Sequence, residues 1–88
     1  MKPKEVKYSP IFIKSLKSFP KSQLKFLVAQ EQIFKENIFD PRLKTHKLKG
    51  KLSDFYSFSI SYHWRIVFHI EDKGTIILDN IGTHEVYK

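Results

Sequence analysis

The stretch Phe55-Tyr56-Ser57-Phe58-Ser59-Ile60-Ser61-Tyr62, followed by Trp64-Arg65-Ile66-Val67-Phe68-His69-Ile70, decides the fold class. Both halves alternate with a period of two, the spacing at which strand side chains change faces. Tyr56, Phe58, Ile60 and Tyr62 fall on one face of the first strand, and Ser57, Ser59 and Ser61 fall on the other. In the second strand Trp64, Ile66, Phe68 and Ile70 stand opposite Arg65, Val67 and His69. Asp72-Lys73-Gly74 has the chemistry of a hairpin turn, and Thr75 to Ile81 reads as the next strand. Gly82-Thr83 then bends the chain before His84-Glu85-Val86-Tyr87-Lys88.

Toward the N-terminus the period changes. Residues 4–8 alternate and predict a short first strand. Ser9-Pro10 is a helix start, because Ser caps the orphan amides and Pro suits the first helical position. Ile11, Phe12 and Leu16 carry that helix to about Ser18, and Phe19-Pro20 breaks it. Leu24, Leu27, Val28, Ile33 and Phe34 form the apolar stripe of a second helix ending near Asn37. From Asn37 to Lys51 no period is strong. The segment 42–51 holds Arg42, Lys44, Lys47, Lys49 and Lys51 with His46 and no acid, and reads as a basic connection into the sheet. This order predicts an α+β fold: an N-terminal strand and an antiparallel helical hairpin packed on one face of an antiparallel sheet.

Eighty-eight residues predict one domain, 1–88. A net charge of +7 favours a polyanionic partner such as nucleic acid, an anionic membrane surface or an acidic protein; excess Lys that only aids solubility is the bland alternative. Fourteen of the sixteen cations are Lys, so bidentate recognition rests on Arg42 and Arg65. The absence of Cys excludes disulfides and thiolate metal sites and fits a reducing cytoplasm. No apolar run is long enough to span a membrane, and the first ten residues lack a signal-peptide apolar region. The four His residues are not paired at metal-ligand spacing, so no metal or other cofactor is expected.

His46-Lys47-Leu48-Lys49-Gly50, Tyr56-Ser57-Phe58-Ser59-Ile60, Trp64-Arg65-Ile66-Val67-Phe68 and Ile81-Gly82-Thr83-His84 occur in this order across nearly the whole chain. Together they resemble the RelE/ParE toxin superfamily, in its RelE/StbE, YoeB and YafQ branch. The resemblance implies a RelE-like fold and the toxin of a type II toxin–antitoxin system. It also implies metal-independent cleavage of mRNA, commonly on the ribosome, which would inhibit translation. The implied partners are a cognate acidic antitoxin, mRNA and the ribosome, with DNA reached only through the antitoxin complex and no membrane. Two other readings stay open: a ParE-like protein that binds and inhibits DNA gyrase, and a catalytically decayed member that only binds RNA or its antitoxin.

Metal-free RNA cleavage needs a base for the 2′-OH, cations for the phosphorane, an acid for the leaving oxygen and an in-line grip on the nucleotide. The resemblance lays His84 on the Gly-Thr-His whose His acts as general acid; the alternative is a strand-end His bonded to backbone. His46 falls on the His of a His-X-Leu-X-Gly segment placed at the active site, as base or phosphate contact, or is an exposed loop residue. Arg65 matches a scissile-phosphate contact, against a salt bridge to Asp79 or Glu71. Tyr87 resembles a C-terminal Tyr that stacks on a base or aids acid catalysis, against plain packing. Arg42, Lys44, Lys47, Lys49 and Lys51 are the candidate RNA-binding set. Ser59 stands where many relatives carry Arg or His, and His63 where YafQ-like toxins have Asp. His63 is thus either a substitute base or a residue of the bend between strands. No Glu stands at the position of the YoeB base. His69 is read as a strand residue without catalytic duty.

Overall fold

The computed structural model describes residues 1–83 and Val86. β1 (Glu5–Tyr8) leads into α1 (Pro10–Leu16), where the sequence signals act as expected. The Ser9 hydroxyl accepts from the Phe12 amide at 3.0 Å, and Pro10 sits in the first turn. Ser9 also donates from its hydroxyl to the Asp79 carbonyl at 2.7 Å, tying the helix start to the sheet. After Pro20 a 3-10 turn (Lys21–Gln23) opens α2 (Leu24–Glu36). Leu27 and Phe34 of the anticipated stripe are buried, but Leu24 and Val28 remain exposed.

The sheet has five strands in the order β1-β5-β4-β3-β2, with β2 at His46–Lys47, β3 at Phe55–Ser59, β4 at Arg65–Asp72 and β5 at Thr75–Gly82. The meander pairs antiparallel as expected. β1 pairs parallel with β5, Val6 opposite Ile76, so the α+β sheet is mixed rather than wholly antiparallel. The basic connection also contributes more than a link, because His46 and Lys47 pair with Ser57 and Tyr56 as an edge strand. Two polar residues carry no period-two signal, and Lys on an edge discourages further strand pairing.

The inner face packs against the helices. Phe34 of α2 stacks on Phe58 at 4.5 Å and meets Phe68 edge-on at 5.0 Å, with Ile66, Ile76 and Leu78 beside them. Ile38 and Leu43, from the stretch without periodicity, complete this core, and Thr45 donates to the Ile38 carbonyl at 2.6 Å.

β3 ends at Ser59, three residues before the alternation does. Ile60 donates its amide to the Trp64 carbonyl at 2.9 Å, which closes a hairpin and reverses the chain. Ile60 stays buried and Trp64 packs edge-on against Phe19, but Tyr62 at the tip is 86% exposed rather than inward. The serine face likewise departs from expectation. Ser57 is completely buried, and its hydroxyl has no hydrogen-bond partner among the described residues. Beyond β5, a Cβ on Gly82 would meet the Val86 side chain at 3.2 Å, so Val86 packs beside Gly82.

Candidate active site

Cross-strand pairing shows which residues share the outer face. His46 pairs with Ser57, Ser57 with Val67, Ser59 with Arg65, and Arg65 with Gly82. Directly paired residues point the same way, so His46, Ser57, Ser59, Arg65 and Val67 stand on the face opposite the helices. His46 and Arg65 are two strands and two residues apart, roughly 12 Å between Cα atoms from standard sheet spacings.

His46 is exposed at the edge, and its Nδ1 lies 3.1 Å from the Lys44 carbonyl. A carbonyl oxygen only accepts, so Nδ1 carries a proton, and in the tautomer this selects Nε2 is the nitrogen able to accept one. The carbonyl is held there by backbone conformation: Lys44 has φ 54° and ψ 39°, the left-handed region that costs a non-glycine residue about 1–2 kcal/mol.

Arg65 donates from Nη1 to the Ser61 carbonyl at 2.9 Å and to the Trp64 carbonyl at 3.2 Å. It therefore braces the β3–β4 hairpin through backbone, and the salt bridge to Asp79 or Glu71 does not form. Asp79 is engaged by His69, whose Nδ1 lies 2.7 Å from Oδ2. A bulge puts Asp79 in reach: Val67 pairs with Asn80 and Phe68 with Leu78, leaving Asp79 as the extra residue on β5.

A cleft of about 370 Å³ is lined by Arg65, Ser59, Ser61, Gln30, Arg42 and Lys44, with Ile60 and Tyr62. Both arginines of the chain thus border one space. Gln30 donates from Nε2 to the Ser59 carbonyl at 2.9 Å and the Arg42 carbonyl at 3.1 Å, which locks α2, the hairpin and the basic segment together. The Arg42 guanidinium forms a two-point pair with Asp40, Nε to Oδ1 at 3.0 Å and Nη2 to Oδ2 at 2.9 Å. Those hydrogen bonds hold the Asp40 carboxyl down to about 2. A neighbouring cleft of about 420 Å³ is lined by Arg65, Tyr62, His63 and Thr83. His63 is exposed at the hairpin bend and reaches the Arg65 side of the site.

The other three candidate RNA-binding cations lie on the edge strand and just after it. Lys47 follows His46 on β2, Lys49 precedes the 3-10 turn Gly50–Leu52 and Lys51 lies within it, all three exposed. His84 and Tyr87 lie outside the described residues. Among the described residues no group of acids and histidines could hold a metal ion, and no helix is long and apolar enough to cross a membrane.

A mixed five-stranded sheet with helices packed on one face is an architecture shared with solved bacterial toxins. The chain superimposes on the YoeB/ParE toxin from Agrobacterium tumefaciens with a TM-score of 0.73 and 16% identity, covering 96% of this chain and 99% of that one. YafQ from E. coli strain BL21(DE3) matches with a TM-score of 0.68 and 20% identity over 93% and 94% of the two chains. YafQ in the E. coli DinJ-YafQ toxin-antitoxin complex matches with a TM-score of 0.64 and 20% identity over 97% and 96%. At these identities the likeness shows the fold. The family follows from the sequence: residues 4–87 match the family described as bacterial toxin of type II toxin-antitoxin system, YafQ, and the chain belongs to it. No curated protein matches the chain.

Proposed function

We propose that this toxin is a metal-independent endoribonuclease that cuts mRNA, acting on ribosome-bound message and so inhibiting translation. The observation that carries the reading is the meeting of Arg65, Arg42 and Lys44 at one cleft, with His46 on the same sheet face as Arg65 and its Nδ1 engaged by the Lys44 carbonyl. Cations so placed suit a phosphate, and the guanidinium fork suits its paired oxygens.

In the proposed reaction His46 Nε2 takes the proton from the ribose 2′-OH. The 2′ oxygen attacks the adjacent phosphorus, the bond to the 5′ oxygen breaks, and His84 returns a proton to that leaving group. The products are a 2′,3′-cyclic phosphate and a 5′-hydroxyl end. Arg65 stabilises the charge that builds on the phosphorane. Tyr87 stacks on a base. Arg42, Lys44, Lys47, Lys49 and Lys51 hold the flanking phosphates.

The charge of +7 also favours an acidic antitoxin, and YafQ from E. coli is itself solved in a toxin-antitoxin complex with DinJ. An apolar groove beside the helices, lined by Tyr8, Phe12, Ile13, Leu16, Leu27 and Glu31, offers such a partner a place for apolar anchors.

The test is cell-free translation with the pure protein, mapping mRNA ends by primer extension for wild type, His46→Ala and His84→Ala. New cuts that both variants lose are the expected result. Intact mRNA with translation unimpaired by the wild type would overturn the reading.

A further inference from the structure

The His69–Asp79 pair plays no part in the chemistry proposed above, yet it is built with care. It depends on the β5 bulge, which brings Asp79 onto the face of His69. Nδ1 is committed to Asp79 at 2.7 Å, so the ring is fixed in orientation and Nε2 is the nitrogen left for a ligand. Burial pushes the Asp79 carboxyl upward, against the opposing hydrogen bond and charge of His69. The Phe55 ring stands edge-to-face with His69, centroids 5.5 Å apart, and the two residues are direct cross-strand partners.

These groups open on a cleft of about 400 Å³ lined by Lys47, Asp54, Phe55, Tyr56, His69 and Ile70. That volume lies within the range of small-ligand sites. The lining combines an aromatic ring, a cation, a fixed imidazole and a carboxylate acceptor. Unpaired RNA bases are recognised by this combination: stacking on an aromatic, a cation for the phosphate, and hydrogen bonds to the exposed base edge. The cleft also continues from the proposed cutting site. Lys47 follows His46 in β2, and Phe55 lies two residues from Ser57, the partner of His46.

We infer that this cleft is a subsite for an unpaired nucleobase bearing an exocyclic amine, the base of a nucleotide flanking the scissile phosphate. The inference rests on the endoribonuclease reading and deepens it by naming a determinant of sequence preference. Asp54 accepts from the amine, as carboxylates do from the amino groups of cytosine. His69 Nε2 contacts a ring or carbonyl position of the base, and Phe55 stacks on its plane. Adenine, cytosine and guanine carry such an amine; uracil does not, and would leave the Asp54 carboxylate facing a carbonyl oxygen.

The experiment uses short oligoribonucleotides with a single 2′-deoxy nucleotide at the cut, which bind but cannot be cleaved. A, C, G or U is placed in turn at each nucleotide flanking that bond, and dissociation constants are read by fluorescence anisotropy. Wild type is expected to bind oligonucleotides with an amine-bearing base at one flank about 10-fold more tightly than those with uridine there. Asp54→Ala is expected to bring the two within about 2-fold, through weaker binding of the amine-bearing set, and His69→Gln to weaken binding of all four bases. Asp54 is exposed in a turn, so its replacement leaves the core untouched and guards against a His69 variant that fails to fold. Equal binding of all four bases by wild type, or a preference unchanged in Asp54→Ala, overturns the subsite while RNA binding and cleavage stand. Wild type that neither binds nor cleaves any RNA overturns the endoribonuclease reading itself, and the subsite with it.

Discussion

His46 and Lys44 are joined by a 3.1 Å contact between the imidazole Nδ1 and the backbone carbonyl, and that carbonyl is aimed by a left-handed Lys44. The tautomer of the proposed base is therefore set by backbone two residues upstream, in the segment that also supplies the cleft with cations.

If Nε2 of His46 takes the 2′-OH proton, His46→Ala should lower kcat for cleavage by about 10²–10⁴-fold, the usual weight of a general base. Single-turnover cleavage of a model mRNA measures this. The variant should keep its melting temperature, since His46 is exposed on an edge strand. Unchanged cleavage would remove His46 from the chemistry.

Lys44→Gly separates backbone strain from charge. Glycine adopts φ 54° freely, so the variant should be more stable by about 1 kcal/mol, or roughly 4–8 °C in Tm. It should also bind RNA more weakly, having lost a cation from the cleft. Calorimetry and a binding titration together check both signs; a fall in Tm would contradict the strain argument.

Arg65 is proposed to do two things, and Arg65→Lys distinguishes them. A lysine can still donate to the Ser61 carbonyl but cannot form a fork to phosphate. Stability should change by no more than about 1 kcal/mol, one ordinary hydrogen bond. Cleavage should fall by about 10²-fold, as when one transition-state donor is lost. Cleavage at the wild-type rate in Arg65→Lys would leave Arg65 with the hairpin alone.

Lys47, Lys49 and Lys51 are exposed, and none forms an ion pair among the described residues. Each that contacts a phosphate contributes about 0.7 to the slope of log affinity against log salt for single-stranded RNA. Replacing all three with Gln should flatten that slope by about 2. A slope that does not move would show that RNA passes elsewhere on the surface.

On the helical side, the Tyr8 hydroxyl donates to Glu31 Oε2 at 2.7 Å. Burial, reinforced by that hydrogen bond and the Glu31 charge, pushes its pKa from 10.0 up to about 12. Below pH 10 the phenol is protonated in both folded and unfolded chains, and its contribution does not vary. Between pH 10 and about 12 the unfolded chain releases the proton while the folded chain keeps it, so stability declines across that window. Urea titrations at pH 9 and 11.5 should show this decline, and Tyr8→Phe should reduce it.

Much of this molecule is written in local patterns. Ser9-Pro10 starts a helix because a hydroxyl and a ring act on adjacent backbone, whatever lies across the fold. The alternation through 55–60 and 64–70 marks the inner face of the sheet because one side of each strand must meet a core. The anticipated clustering of cations between Arg42 and Lys51, and the separation of Arg65 from Trp64 and Ile66, likewise follow from order along the chain.

Other features depend on contacts between segments distant in sequence. No local signal separates the parallel pairing of β1 with β5 from an antiparallel one, because the alternation in residues 4–8 serves both. The burial of Ser57 depends on what lies over the outer face, which the alternation of its own strand does not show. Exposed Tyr62 shows the reverse case, where the alternation runs past the point at which the hairpin turns. The pairing of His69 with Asp79 needs a bulge that adds one residue to β5, and a bulge changes register without changing composition. The sequence by itself determined which residues could serve a basic, proton-transferring face. Only the tertiary structure decided which of them meet at one cleft, because strand pairing and register bring together residues far apart along the chain.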